Sequence, residues 1–224
     1  EEREHAKPFA PTSFGYVHMD LKQLTKLDGE LSYVFVAIER TTRFVHVEVI
    51  PDKRIATVTA CLERFLEAFG YPVHTILTDN GSEFTDRFSN DKIGKTKDKP
   101  SGTHPFDAIC QTKGIVHKLT RPYRPQTNGM VERFNRRLSE VLKTARPARM
   151  GRSRYTSQEE RQKVIMDFVY AYNRTRLRCL KYKAPLEVLN LEPKHTGYNT
   201  RGEVKPSHVR LHYLEGEGKR KYST

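Results

Sequence analysis

Asp20, Asp79 and Glu132 are the residues of this sequence whose types and settings point to chemistry. Asp20 belongs to an alternation of aliphatic and polar residues, Asp79 opens the turn signal Asp79-Asn80-Gly81, and Glu132 begins an amphipathic stretch. Carboxylate oxygens are hard ligands. Magnesium keeps several of its waters, so two or three carboxylates brought from separate elements suit it better than a dense cage. A pair of such ions about 4 Å apart activates an attacking hydroxyl and stabilises the leaving oxygen of an in-line phosphoryl displacement. That chemistry requires three positions distant in the chain to converge.

The elements that must bring them together can be read from periodicity. Between Tyr16 and Leu21 the aliphatics Val17, Met19 and Leu21 alternate with Tyr16, His18 and Asp20, so Asp20 projects from the opposite face of a strand. Tyr33 to Ile38 is an unbroken apolar run suited to a strand covered on both sides, and Phe44 to Val49 alternates again. The three are expected to form an antiparallel meander. Val58, Cys61, Leu62, Phe65 and Phe69 recur at helical spacing and end at Gly70 and Pro72. A short strand from Val73 to Thr78 then leaves Asp79 at its end, and a helix from Phe106 to Thr112 is followed by a strand from Ile115 to Leu119. Ser89 to Gly102 is polar and aperiodic, as a surface insertion would be.

Asn128 is a good N-cap for the next helix, whose apolar stripe is Val131, Phe134, Leu138, Val141 and Ala145. Glu132, Asn135, Arg136, Ser139 and Lys143 share the neighbouring face. A second amphipathic helix is expected to bury Val164, Ile165, Phe168, Val169 and Tyr172. The fold class is therefore α/β, with carboxylates at strand ends.

Composition narrows the partners. Forty Lys and Arg against twenty-seven Asp and Glu leave a net charge of +13, a field that favours a polyanion. Cys61, Cys110 and Cys179 are too scattered for a disulfide framework or a zinc site, and no apolar run reaches the ~18 residues of a membrane span. The opening residues are too polar for a signal peptide, so a cytoplasmic, nucleoid-associated bacterial protein is expected. The chain opens on Glu1 rather than Met, and an N-terminal portion of a longer protein is expected to precede it.

Taken together, Asp20, the string Asp79-Asn80-Gly81-Ser82-Glu83-Phe84, and Arg121 through Gln126-Thr127-Asn128-Gly129 to Glu132-Arg133-Phe134-Asn135 form a recognisable pattern. It resembles the integrase core of bacterial insertion-sequence transposases and retroviral integrases. The resemblance runs from about Tyr16 to Leu189 and includes Tyr172-Asn173-Arg174 and Ala184-Pro185-Leu186. It implies a ribonuclease-H-like fold with a mixed five-stranded sheet flanked by helices. It further implies that Asp20, Asp79 and Glu132 bind Mg2+, which Mn2+ can replace, and that the protein works on double-stranded DNA, both transposon ends and target, as a homodimer or larger assembly. One departure is length: fifty-two residues separate Asp79 from Glu132, against about thirty-five in the retroviral pattern. The surplus falls in the polar stretch, where loop entropy makes insertion cheap. The retroviral His and Cys zinc module is also missing, and an upstream helix-turn-helix is expected in its place.

Arg121, Tyr123, Arg124, Gln126, Thr127 and Asn128 stand just before Glu132 and offer phosphate donors and a stacking ring, while Arg133, Arg136, Arg137 and Lys143 follow on the helix. All ten are candidate DNA contacts. His18, His46, His74 and His117 read as ordinary strand residues without metal-ligand spacing. The expected organisation is an extension at 1–13, a core at 14–189 with the polar insertion near 89–103, and a basic tail at 190–224. The activity expected is DNA end cleavage and strand transfer. Two alternatives remain open at this point: a ribonuclease-H-like nuclease, and a domesticated DNA-binding protein that keeps the fold without catalysis.

Overall fold

The computed structural model describes residues 13–90, 94, 96, 98–121, 128–145 and 155–192. Strands β1 (Tyr16–Gln23), β2 (Tyr33–Glu39) and β3 (Val45–Ile50) make the expected antiparallel meander. Helix α1 (Ile55–Phe69) then crosses over so that β4 (Thr75–Thr78) lies parallel to β1, and α2 (Pro105–Thr112) returns the chain to β5 (Val116–Leu119), parallel to β4. The result is one mixed sheet in the order β3-β2-β1-β4-β5. Helices α3 (Gly129–Thr144), α4 (Gln158–Arg174) and the short α5 (Pro185–Leu189) follow.

Both faces of the sheet are covered, which is why β2 is apolar without interruption. On one face Val17, Met19, Phe35 and Ala37 pack with Val58, Leu62, Phe65 and Phe69 of α1 and Phe106 and Cys110 of α2. On the other, Val34, Val36 and Ile38 meet Val131, Phe134 and Leu138 of α3 and Ile165 and Val169 of α4. Each such side chain contributes about 1.5–3 kcal/mol when fully removed from water. Asp20 pairs with Val36 across the β1–β2 ladder, so it faces the α3–α4 layer and opposes the aliphatics of its own strand, as its alternation predicts. Helix α1 stops at Gly70, whose φ of 64° is the left-handed turn that glycine adopts without steric penalty.

Periodicity reads α4 only in part: Ile165 and Val169 are buried and Phe168 and Tyr172 pack partly buried on the same core, but two polar residues also lie inside. Its buried residues are Arg161, Ile165, Val169 and Asn173, whereas Val164, Phe168 and Tyr172 are only half-buried. The two polar members sit inside because backbone groups elsewhere need partners there. The Arg161 guanidinium, 2% exposed, donates to Thr25 O at 2.5 Å, Ser32 Oγ at 2.8 Å and Gln158 Oε1 at 2.6 Å, tying α4 to the β1–β2 connection. At the other end, the Asn173 amide accepts from Val45 N at 2.9 Å and donates to Val45 O at 2.8 Å, mimicking a neighbouring strand at the sheet's edge. Truncation would leave both backbone groups buried and unpaired, so Asn173→Ala is expected to lose about 2–3 kcal/mol of stability. Urea denaturation with an unchanged slope checks this, and a shift of the midpoint no larger than that of a surface alanine would refute it.

Candidate active site

The sheet register brings the first two carboxylates side by side. Strands β1 and β4 run parallel with Tyr16 opposite Thr75 and His18 opposite Leu77, and continuing that register by two residues sets Asp20 beside Asp79. Asp79 leaves the strand in the turn that Asp-Asn-Gly predicts, its Oδ1 accepting from Gly81 N at 2.9 Å. Asn80 anchors the same turn to the end of β5 by donating to Thr120 O at 3.0 Å.

Helix α3 supplies the third. Asn135 donates from Nδ2 to Asp20 Oδ2 at 2.8 Å, which fixes the helix against β1, and Glu132 lies one turn earlier on the same side, exposed. The start of α3 is held again by the contact between His18 Nδ1 and Asn128 Oδ1, at 3.2 Å. That contact explains a departure from expectation: Asn128 occupies the N-cap position but makes no capping bond, because its side chain is buried and turned to His18. The structure thus gives Asn128 an internal partner, in place of the DNA-facing role expected of it. Arg121, Arg133, Arg136, Arg137 and Lys143 are exposed, and Tyr123, Arg124, Gln126 and Thr127 lie outside the described residues.

Electrostatics identify Asp20 as the focus. Burial in the α3 layer pushes its carboxyl up to about 7, with the negative charges of Asp79, Glu132 and Glu83 adding to the effect and the Leu21 backbone N–H opposing it. Asp20 thus senses three carboxylates and has an amide beside it. The amide's other end is informative, because among the described residues Asn135 Oδ1 is buried without a partner; a flipped Asn135 would accept a hydrogen bond from a neutral Asp20. The described residues include no set of three His, Cys, Asp or Glu side chains close enough to grip a metal ion. Three like charges at short range repel, which works against their closing to coordination distance on their own. The chemistry of the donors nevertheless fits a hard divalent cation: hard carboxylate oxygens only, around a half-buried Asp20 whose proton affinity is raised by desolvation and by the negative charges near it.

Glu83 is the residue that reading the sequence passed over, quoted there only as part of a string. It is buried, and Gly81 is what makes room for it: a Cβ at Gly81 would stand 2.8 Å from the Glu83 carboxylate. A second missed feature supports Asp79 from beneath. His117 bridges Asp107 Oδ1, at 2.5 Å from its Nδ1, and Thr78 Oγ1, at 2.9 Å from its Nε2, while the Thr78 hydroxyl reaches the Asp79 carbonyl at 2.9 Å. His117 is therefore no ordinary strand residue. Its spacing from Asp107 carries no local signal, since the pair meets only when α2 packs along β5.

The layered α/β architecture, with a mixed five-stranded sheet in this order and carboxylates gathered at β1, β4 and the start of α3, is a ribonuclease-H-like fold. The integrase core domain model matches residues 10–125, and a second integrase core domain model matches residues 113–185. The chain belongs to the integrase core domain family. It is 26% identical over 198 residues to a putative integrase of Spiroplasma virus SpV1-C74, which covers 84% of this chain and 51% of that protein. The chain thus spans about half the length of that relative. Among solved structures it resembles the catalytic core domain of BIV integrase, with TM-score 0.54, 22% identity, and coverage of 79% of this chain and 94% of that one. It also resembles a chain of the simian T-cell lymphotropic virus intasome in complex with the PP2A regulatory subunit B56 gamma, with TM-score 0.57, 16% identity, and coverage of 82% and 58%.

The displaced titrations make the pH dependence specific. Asp20 is raised, so the stability it lends is full below its unfolded value near 4 and is lost as pH rises through about 7. His18 and His46 are both lowered to about 4 by burial, so their contribution is present above about 6.5 and lost as pH falls through 4. Asp20→Asn is therefore expected to be more stable than the parent at pH 8 by roughly 2–4 kcal/mol, since each tenfold change in proton affinity is worth about 1.4 kcal/mol. The advantage should shrink as pH falls from 7 towards 4. Denaturant titrations at pH 8 and pH 5 read it directly, and equal midpoints at pH 8 would show that the Asp20 charge carries no such burden.

Proposed function

We propose that this chain is the catalytic core of a DNA transposase or integrase that cleaves the ends of a DNA element and joins the freed 3'-hydroxyls to target DNA. The observation that carries the reading is the electrostatic convergence on Asp20: a half-buried carboxylate, raised to about 7 by desolvation and by Asp79, Glu132 and Glu83, in a chain of the integrase core family. Membership of that family supports phosphoryl transfer at divalent metal. Likeness to a putative integrase and to an intasome chain supports DNA as substrate and a homo-oligomeric assembly.

In this reading Asp20, Asp79 and Glu132 hold Mg2+, or Mn2+ in its place. Such ions, when bound, supply Lewis acidity at the scissile phosphate and at the attacking oxygen. The chain's own residues do the positioning. Asn135 orients Asp20, the Asp79 side chain is steadied by Gly81 N, and His18 with Asn128 seats the first turn of α3 that carries Glu132. Exposed Arg121, Arg133, Arg136, Arg137 and Lys143 flank that turn and would grip phosphates, and Tyr123, Arg124, Gln126 and Thr127 complete the contact proposed for the preceding loop. The organisation proposed is a core at 14–189 between an extension at 1–13 and a basic tail at 190–224. Among the described residues no helix is long and apolar enough to cross a membrane.

Two measurements test the reading. With a DNA end of the element and Mn2+, the parent chain, in the context of its full-length protein, should give both nicked and joined products. Asp20→Asn, Asp79→Asn and Glu132→Gln should each lose both by at least a hundredfold while keeping their circular dichroism. Nicked without joined products would favour a nuclease, and robust joining by folded Asp79→Asn would end the assignment. Independently of turnover, millimolar Mn2+ should raise the parent's melting temperature by several degrees and leave that of Asp20→Asn unchanged.

A further inference from the structure

Beyond α4 the chain makes a tight, ordered turn. Leu177 and Lys183 form a bridge, Arg178–Leu180 is a single 3-10 turn, and the backbone N–H groups of Leu180, Lys181, Tyr182 and Lys183 are all satisfied within the turn. Lys181 and Tyr182 follow one another with φ of 53° and 63°. Two successive side-chain-bearing residues in the left-handed region are strained, and neither is the glycine that would relieve it. The strain has a visible consequence: Tyr182 stands 66% exposed, its ring held out in water.

The charge of this turn is one-sided. Arg174, Arg176, Arg178, Lys181 and Lys183 are all exposed, and no Asp or Glu occurs between Asp167 and Glu187. One turn back on α4, the guanidinium of Arg174 lies 3.5 Å from the centre of the Tyr170 ring, a cation stacked on an aromatic that is itself 54% exposed. Exposed rings interleaved with cations are poorly suited to an unoccupied surface and well suited to a phosphate backbone with sugars and bases beside it.

The turn is also continuous with the candidate active site. Tyr172, on the last turns of α4, has its phenol pushed up by burial and then by Cys179 of the turn, while Arg43, Arg137 and Arg133 draw it back down. The Tyr172 ring also packs against Phe134 of α3, with centroids 5.4 Å apart, so α3 and the last turns of α4 meet at this tyrosine. Arg133 adjoins Glu132 on α3, and α3 packs on the helix that leads into the basic turn.

We propose that the turn Thr175–Lys183, with Tyr170 and Arg174, is a second duplex-DNA contact that holds the backbone of the DNA leading away from the active site. It rests on the DNA reading above and adds to it a place: affinity without sequence preference, supplied by five cations and two rings remote from the carboxylates. Because Lys and Arg on phosphates carry no base information, the contribution should be uniform across sequences and steeply salt-dependent.

Fluorescence anisotropy with a 30-base-pair duplex of arbitrary sequence, in EDTA and from 50 to 200 mM salt, tests it. Lys181→Glu with Lys183→Glu should weaken binding by roughly tenfold or more and lower the salt slope by about 2. Lys53→Glu with Lys113→Glu makes the same change in net charge at exposed positions flanking α1 and α2 and should weaken binding less than threefold. Tyr182→Ala should cost several-fold with the slope unchanged. Since neither wild-type residue is suited to its left-handed backbone, no variant is expected to unfold, and thermal melts verify this. Equal losses in the two double variants would overturn the proposal, as would a parent chain that binds no duplex. Unchanged DNA binding with loss of self-association would also overturn it, assigning the turn to an acidic protein surface. The binding assay contains no divalent metal and reads no turnover, so failure of the Mn2+ cleavage and joining test would defeat the catalytic reading while leaving a binding loss localised to the turn intact.

Discussion

A half-buried carboxylate set against a helix layer, with others of its kind around it, is the constraint on which this molecule turns. Asp20 stands within a strand, half-buried beside α3, and three further acids raise its proton affinity. Such a group is tolerated only if something holds it: an amide from Asn135 and a backbone N–H from Leu21. Stability at this point of the fold is surrendered to keep negative charge concentrated where it can act. The rest of the chain is arranged to bear that cost.

Two devices bear it. The hydrophobic faces on either side of the sheet are continuous, so the strands are set by packing and cannot relax away from the repulsion. Buried polar ties then lock the elements that carry the acids. Asn173 closes the edge of β3, Arg161 clamps α4 to the β1–β2 connection, and the Asp107–His117–Thr78 chain of contacts backs the end of β4 just before Asp79. Each tie satisfies backbone or side-chain groups that would otherwise be buried without partners, which makes each one a determinant of orientation as much as of stability.

Outside the core the charge reverses. Acids are gathered inward at the strand ends, and cations are spread over α3, the end of α4 and the turn that follows. A polyanion drawn to such a surface would be repelled by the carboxylates, so the two distributions oppose each other. This opposition explains how a chain with a net charge of +13 can concentrate negative charge at one place.

The linear sequence determined the elements and their order, because alternation and helical spacing are local consequences of which faces meet the core. Strands β1 to β5 and helices α1 to α4 follow that reading closely, and the three acids stood out because each sat at a strand face, a strand end or a helix start. Tertiary structure decided what depends on pairs far apart in the chain: that His18 takes the amide of Asn128 from its cap, that Glu83 joins the acids, and that His117 meets Asp107. It also decided that Arg161 and Asn173 belong inside, since a buried polar side chain is placed by the backbone groups that need it, and those are contributed by distant strands. Local spacing encodes which face a residue takes; only the folded chain specifies which partner it finds there.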